Sequence, residues 1–422
     1  MPFIMRRRLH FVAASAATIL GALASGRGAA ADPAPPFREL LTQAQASAPR
    51  LAEARAEIAR AEGLARQARA IPNPTLGVEV ENFSGSGPFK GIDLAETTAS
   101  IGQTIELGGK RSARIAVGQA DLRAARARAV RIQGEYAFDL AAAYAEAEAS
   151  DRRLQLANES AGFAQEDSRI ATALVEAGRE ADLRRVQALA ALQAARAAIE
   201  EARAARATAF SNLTALVGAP APITSIPVSL LAGADQAFPA TALDALNSPA
   251  YLAAQAEREA AARRIRVERV RAIPDVTASV GFRRFEGDDA TALVAGVSIP
   301  FPIFDRNRGN ISAAQAELSG AEARLNAARL EAEAAARSGS ARLSAAEARL
   351  LASREAERTA EEAHHLTRLG YEGGKLDLVE LLNAQRALAE ARAQTINAAV
   401  ERLSAQAGLA RLAGATPFGD PR

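Results

Sequence analysis

No cysteine occurs among the 422 residues, so disulfides cannot staple this chain and no thiol is present to carry a lipid anchor. Tryptophan is also missing, and all aromatic residues together make up 4%. That excludes a core built on large rings. Methionine is confined to Met1 and Met5, and histidine to His10, His364 and His365. Soft-metal relays use Met and Cys, and acid–base catalysis near neutral pH leans on His. With no nucleophile motif either, the chain reads as a non-enzyme without a cofactor. It carries little net charge: 51 basic residues face 49 acidic ones, interspersed at helical spacing. That is the pattern of solvated helix faces, and it argues against a nucleic-acid partner. Long apolar runs are scarce. The best one, 11–24, follows Arg6, Arg7 and Arg8 and precedes Ala29, Ala30 and Ala31. It is short for a membrane span and has the layout of a secretory signal, expected over 1–31.

Proline is absent over two long intervals, between Pro88 and Pro220 and between Pro302 and Pro417. A proline inside a helix costs about 3 kcal/mol, so such intervals are where long helices can live. Ala, Arg, Glu and Leu fill them, the composition of long packed helices. The spacing predicts rods from Gly109 to Gly178 and from Gly309 to Gly370, each on the order of 90–100 Å at 1.5 Å per residue. A compact domain cannot bury such rods, so partner helices must lie alongside. Each rod ends at a glycine turn and returns, with Asp182 or Asp377 placed to cap the returning helix. Long hairpins are expected over 110–216 and 306–412.

What is present is present twice. The segment 174–183 (LVEAGREADL) has a counterpart in 369–378 (LGYEGGKLDL), 70–73 (AIPN) in 272–275 (AIPD), and 213–218 (LTALVG) in 409–414 (LARLAG). A unit of roughly 200 residues is therefore duplicated. The expected units are 32–218 and 247–414, joined by a Pro-rich segment at 219–246 that belts the rods partway along, with a short tail at 415–422.

Ahead of each rod the hydrophobic period changes to two. Leu76, Val78 and Val80 alternate with Gly77, Glu79 and Glu81, and Ile101 and Ile105 with Gly102, Thr104 and Glu106. In the second copy Val276, Ala278, Val280 and Phe282 alternate with Thr277, Ser279, Gly281 and Arg283; Leu293, Ala295, Val297, Ile299 and Phe301 share one face. Strands are expected at about 74–83, 97–107, 275–285 and 291–303. Two readings fit: a soluble hairpin packed on helices, or tilted strands crossing a bilayer with one apolar and one wet side. Phe83, Phe89, Phe282, Phe285, Phe301 and Phe304 in or beside these strands suit the second. Four strands cannot close a barrel, and lipid tolerates no open edge, so three chains would have to pool twelve.

Two apparent chemical motifs dissolve on inspection. Gly108-Gly109-Lys110 and Gly373-Gly374-Lys375 lack the spacing and the following Ser or Thr of a phosphate loop. His364 and His365 are weak metal candidates: adjacent helix positions point about 100° apart and cannot chelate one ion as an i, i+4 pair can. A ring of one histidine from each of three chains is the alternative to plain solvated positions.

The runs 70–83 (AIPNPTLGVEVENF) and 96–111 (ETTASIGQTIELGGKR), within the duplicated architecture, resemble TolC-type outer-membrane factors over about 37–414. Among these they are similar to the heavy-metal-efflux, CzcC-like branch. The resemblance implies a mainly α fold with a small transmembrane β part: a homotrimer with a twelve-stranded barrel in outer-membrane lipid and a helical tunnel across the periplasm. It also implies a periplasmic adaptor at the tip and an inner-membrane pump of the resistance-nodulation-division type. Where the family commonly places two Asp one turn apart in its constriction, this chain has Glu380 and Asn383, implying one acidic ring at a tip gate. The turns supply the candidates for adaptor docking: Glu176, Gly178 and Arg179, then Gly370, Gly373, Gly374 and Lys375. The second copy is expected to line the gate and the first to frame it. The resulting expectation is a passive duct for divalent heavy-metal cations. A duct for drugs or secreted proteins, a periplasmic adaptor and a structural coiled coil are the rivals.

Overall fold

The computed structural model describes residues 32–232 and 244–418. The signal segment expected over 1–31 and part of the Pro-rich segment lie outside them. Two short helices, α1 (Phe37–Ser47) and α2 (Pro49–Gln67), lead into β2 (Thr75–Glu81) and β3 (Glu96–Ile105), after a two-residue β1 (Asp32–Pro33). The first rod is α3 (Lys110–Glu176), returning as α4 (Asp182–Val217). After β4 (Ile223–Ser225), the second copy repeats the order with α5 (Pro249–Arg271), β5 (Val276–Phe285), β6 (Ala290–Ser298), α6 (Arg308–Glu372) and α7 (Leu378–Leu412). Four strands form one antiparallel sheet in the order β2-β3-β5-β6, leaving β2 and β6 as free edges. The fourth strand stops at Ser298 because Pro300 and Pro302 follow, and proline has no N–H for a ladder.

The rods are 67 and 65 residues long, about 100 Å each at 1.5 Å per residue. Their returning arms are about half that length, 36 and 35 residues. The missing length is supplied by the helix preceding each strand pair. Gly218, at φ +67°, ends α4 directly against Pro49 at the start of α2, and Gly414, at φ +66°, brings the end of α7 against Pro249 at the start of α5. The Ser47 hydroxyl also donates to the Val217 carbonyl at 3.3 Å. Hence α4 and α2 run end to end beside α3, and α7 and α5 run end to end between α3 and α6. The result is a wall four helices wide. Alanine makes it possible: Ala113, Ala120, Ala124, Ala125, Ala137 and Ala141 are buried along α3 alone, where small side chains let backbones approach.

The main cluster of large side chains gathers at the joint between α4 and α2. Phe37, Leu40, Tyr136, Leu140, Tyr144, Phe210 and Leu213 form the main core there, with Phe37 edge-on to Tyr144 at 5.9 Å. The Tyr136 hydroxyl donates to the Leu216 carbonyl at 3.0 Å and that of Tyr144 to the Val228 carbonyl at 2.9 Å. Burial pushes both phenols up to about 12. Among the described residues no helix is long and apolar enough to cross a membrane.

Candidate functional site

Strand register sorts side chains onto two faces of the sheet. Leu76 pairs with Ile101, Ile101 with Val280 and Val280 with Ala295; the next row is Val78, Ala99, Phe282 and Leu293. Both rows, with Val297 beside Ala278, lie on one face, and their larger members are exposed. The opposite face carries Gly77, Ser100 and Gly281 in one row and Glu79, Thr98 and Arg283 in another. Gly281 is required there, since a Cβ would lie 2.3 Å from the Ala99 carbonyl oxygen. Arg283 anchors this wet face: its guanidinium lies 2.9 Å from Glu81 and 3.0 Å from Glu96, and donates to the Thr98 hydroxyl at 2.9 Å. One face is thus dry and the other holds a compact ionic cluster.

Midway along the rods, Glu148 of α3 is buried. It accepts from the Ser229 hydroxyl at 2.5 Å, from the backbone N–H of Leu230 and Leu231 at 2.8 and 3.0 Å, and from Arg152 at 2.7 Å. A single carboxylate therefore ties the inter-repeat segment to α3. Closer to the tips, Arg392 of α7 binds Glu159 of α3 and Glu361 of α6, both at 2.8 Å, with Glu357 at 3.8 Å. The hydrogen bond to Glu361 leads the effects that raise the Arg392 pKa, and the cluster joins the two copies.

Both tip turns use the same hydrogen-bond scheme. Arg179 N–H donates to the Leu174 carbonyl at 2.9 Å and Lys375 N–H to that of Gly370 at 2.8 Å. Gly178 and Gly374 take φ values of +68° and +67°, which glycine adopts without the Cβ penalty. Leu376 folds over Gly370, where a Cβ would lie 2.6 Å from its Cδ1. Gly373 has an ordinary φ of −78°, and a Cβ there would lie 3.2 Å from the Leu369 carbonyl oxygen. Glu176, Arg179 and Lys375 are exposed at the turns. Asp377 caps α7, accepting from Glu380 N–H at 3.0 Å. Asp182 does not cap α4, contrary to expectation: it is already the first helical residue, and its carboxylate pairs with Arg185 at 2.7 Å.

Glu380 and Asn383 sit one turn apart on α7, both exposed in the single chain. Beside Gln385, next along α7, lies a group that sequence reasoning missed. Asp167 of α3 is 4% exposed. Burial pushes its carboxyl up to about 6, against the opposing hydrogen bond from Gln385 of α7, with Glu166 adding a smaller upward push. No sequence signal marks it: Ala161, Asp167, Ser168 and Ala171 share the buried stripe of α3, and that stripe is set by where the neighbouring helices lie.

The two histidines do not converge. His364 packs its ring 5.6 Å from Phe163, and burial, then Arg368 and Arg392, lowers its pKa; His365 is exposed. Neighbouring guanidinium groups repel a cation, and among the described residues no cluster of three potential metal ligands occurs.

A small sheet, dry on one face and open at both edges, carried on duplicated helical hairpins about 100 Å long, is the architecture of a TolC-like outer-membrane channel subunit. The chain belongs to the outer membrane efflux protein family, whose model matches residues 40–219 and 243–415. It is similar to the nickel-cobalt-cadmium resistance protein NccC of Alcaligenes xylosoxydans xylosoxydans, with 41% identity over 69% of this chain and 66% of NccC. It is also similar to the cobalt-zinc-cadmium resistance protein CzcC of Cupriavidus metallidurans, with 31% identity over 86% of each. The crystal structure of the outer membrane protein VceC from Vibrio cholerae shares the fold, with a TM-score of 0.71 and 22% identity over 90% of this chain and 96% of that one.

Proposed function

We propose that the protein is the outer-membrane exit duct of a tripartite efflux system, working as a homotrimer and passing divalent heavy-metal cations without chemistry of its own. The observation that carries the trimer is the sheet: four strands with one continuous apolar face and two unpaired edges. Lipid tolerates only a closed barrel, and three copies joined β6 to β2 supply twelve strands. The metal cargo is supported by the resistance proteins to which the chain is similar. In this reading selection is made upstream and the duct conducts the cations rather than binding them.

In this reading Glu380 forms an acidic ring at a gate near the tips, with Asn383 one turn inward, and such a ring favours cations. The exposed turn residues Glu176, Arg179 and Lys375, with the glycines that shape the turns, face the adaptor, which in turn contacts an inner-membrane pump of the resistance-nodulation-division type. The test combines location with cargo. The protein is expected in outer-membrane fractions as a trimer, and deletion of its gene is expected to sensitise cells to Zn, Co, Ni or Cd. A soluble monomer refutes the duct; sensitivity to dyes and antibiotics with unchanged metal tolerance refutes the cargo.

A further inference from the structure

The two sheet-to-rod junctions occupy equivalent places in the duplicated units, and both are tied down, the second by Asn307 donating to the Glu268 backbone carbonyl at 2.7 Å and to its carboxylate at 2.9 Å. They differ in how their basic side chains are used. In the first, Lys110 pairs with Asp275 at 2.8 Å, Arg111 donates to the Arg69 carbonyl at 2.9 Å, and Arg114 pairs with Glu106. Gly108 and Gly109 bring no side chain to the surface. In the second, between β6 and α6, Ile299, Phe301, Ile303 and Phe304 are all exposed, Phe301 at 86% and Phe304 at 97%. Arg306 and Arg308 follow at once, both exposed and without a partner among the described residues. Ile303, Phe304, Arg306 and Arg308 surround one recess of about 400 Å³, together with Asp305 and Gly309. Asp305 is occupied, accepting from Asn307 N–H at 2.8 Å.

Ile299 and Phe301 continue the odd-numbered dry face of β6, so the apolar surface of the sheet ends here against two guanidinium groups without a salt bridge among the described residues, with one carboxylate, Asp305, in the same recess. Apolar side chains directly above a pair of guanidinium groups match an acyl chain directly above a phosphate. A second copy is the competing occupant, because β6 is an edge strand. Strand direction would bring residues 64–75 of that copy alongside 299–308. That stretch includes Arg66 and Arg69 and no carboxylate, so it leaves Arg306 and Arg308 unmatched.

We infer that the β6–α6 junction binds a glycerophospholipid with an anionic headgroup, Arg306 and Arg308 holding the phosphate and Phe301, Ile303 and Phe304 lying along its acyl chains. The inference rests on the proposed barrel, which puts this junction at the periplasmic leaflet.

The test uses the full-length protein in detergent, titrated with phosphatidylglycerol or phosphatidylcholine and read by native mass spectrometry. Phosphatidylglycerol is expected to bind preferentially. Arg306→Gln with Arg308→Gln is expected to weaken it by about twenty-five-fold, roughly fivefold for each basic side chain near an anionic surface. Arg306→Lys with Arg308→Lys should retain most of the affinity. Unchanged affinity in the glutamine pair overturns the inference, and so does equal affinity for phosphatidylglycerol and phosphatidylcholine. A glutamine pair that loses its trimer in lipid-free detergent also overturns it, because the surface is then an interface between copies. Outer-membrane fractionation and bilayer conductance are measured in parallel. A trimeric, conducting channel without lipid preference refutes this site alone, whereas a soluble monomer refutes the duct itself.

Discussion

Replacing Asp167 by Asn tests whether a buried carboxylate loosens the hairpin tips as pH rises. The side chain lies between α3 and α7, bonded to Gln385, with Glu166 beside it and Tyr371 near enough to feel its charge. Its folded pKa of about 6 stands above the ordinary 3.8. The stabilising contribution is therefore fully present below about pH 4 and is lost as pH rises through about 6. The displacement is worth on the order of 3 kcal/mol against the ionised form. Asparagine keeps the shape and a group for Gln385 but remains neutral at every pH. Hydrogen exchange of the amides in 378–390 reads local opening of this region. At about pH 8 the variant's amides are expected to exchange more slowly than wild type, by up to about 100-fold, and at about pH 4 the two should coincide. Equal exchange at both pH values refutes the reasoning, and so does faster exchange in the variant at high pH.

Glu148→Ala removes the acceptor for Ser229, Leu230, Leu231 and Arg152. Leaving those groups unpaired should destabilise the equator by about 2–4 kcal/mol. Limited proteolysis within 219–232 should accelerate, and an unchanged cleavage rate would show that the carboxylate does not hold the segment. Glu380→Gln removes the charge of the proposed gate ring. Reversal potentials across a planar bilayer under a salt gradient should then show weaker cation preference, and an unaltered potential removes Glu380 from the gate.

The rods were legible because helices of this length announce themselves by what they exclude. The intervals without proline bracket α3 with α4 and α6 with α7, and the positive-φ glycines 178 and 374 mark the reversals. The strands were legible through period two, and register carried the alternation across all four. The end-to-end joints were not legible, because Ser47 meets Val217 and Gly414 meets Pro249 across more than 160 residues. No local pattern encodes such a meeting. Asp167 and Glu148 escaped for a related reason. Along an alanine-rich rod every face looks alike, so which carboxylate points inward depends on where the neighbouring helices lie. His364 was hidden in the same way: its ring reaches Phe163 of α3 although α7 and α5 lie between the two rods.

The joints at Gly218 and Gly414 also divide mechanical labour within the wall. A helix bends only by straining its ladder of hydrogen bonds, whereas a stacked junction bends by sliding a glycine past a proline ring. Any twist applied at the tips is therefore carried past the equator by α3 and α6 alone. The duplicated chain works as two drive shafts, each alongside a hinged casing.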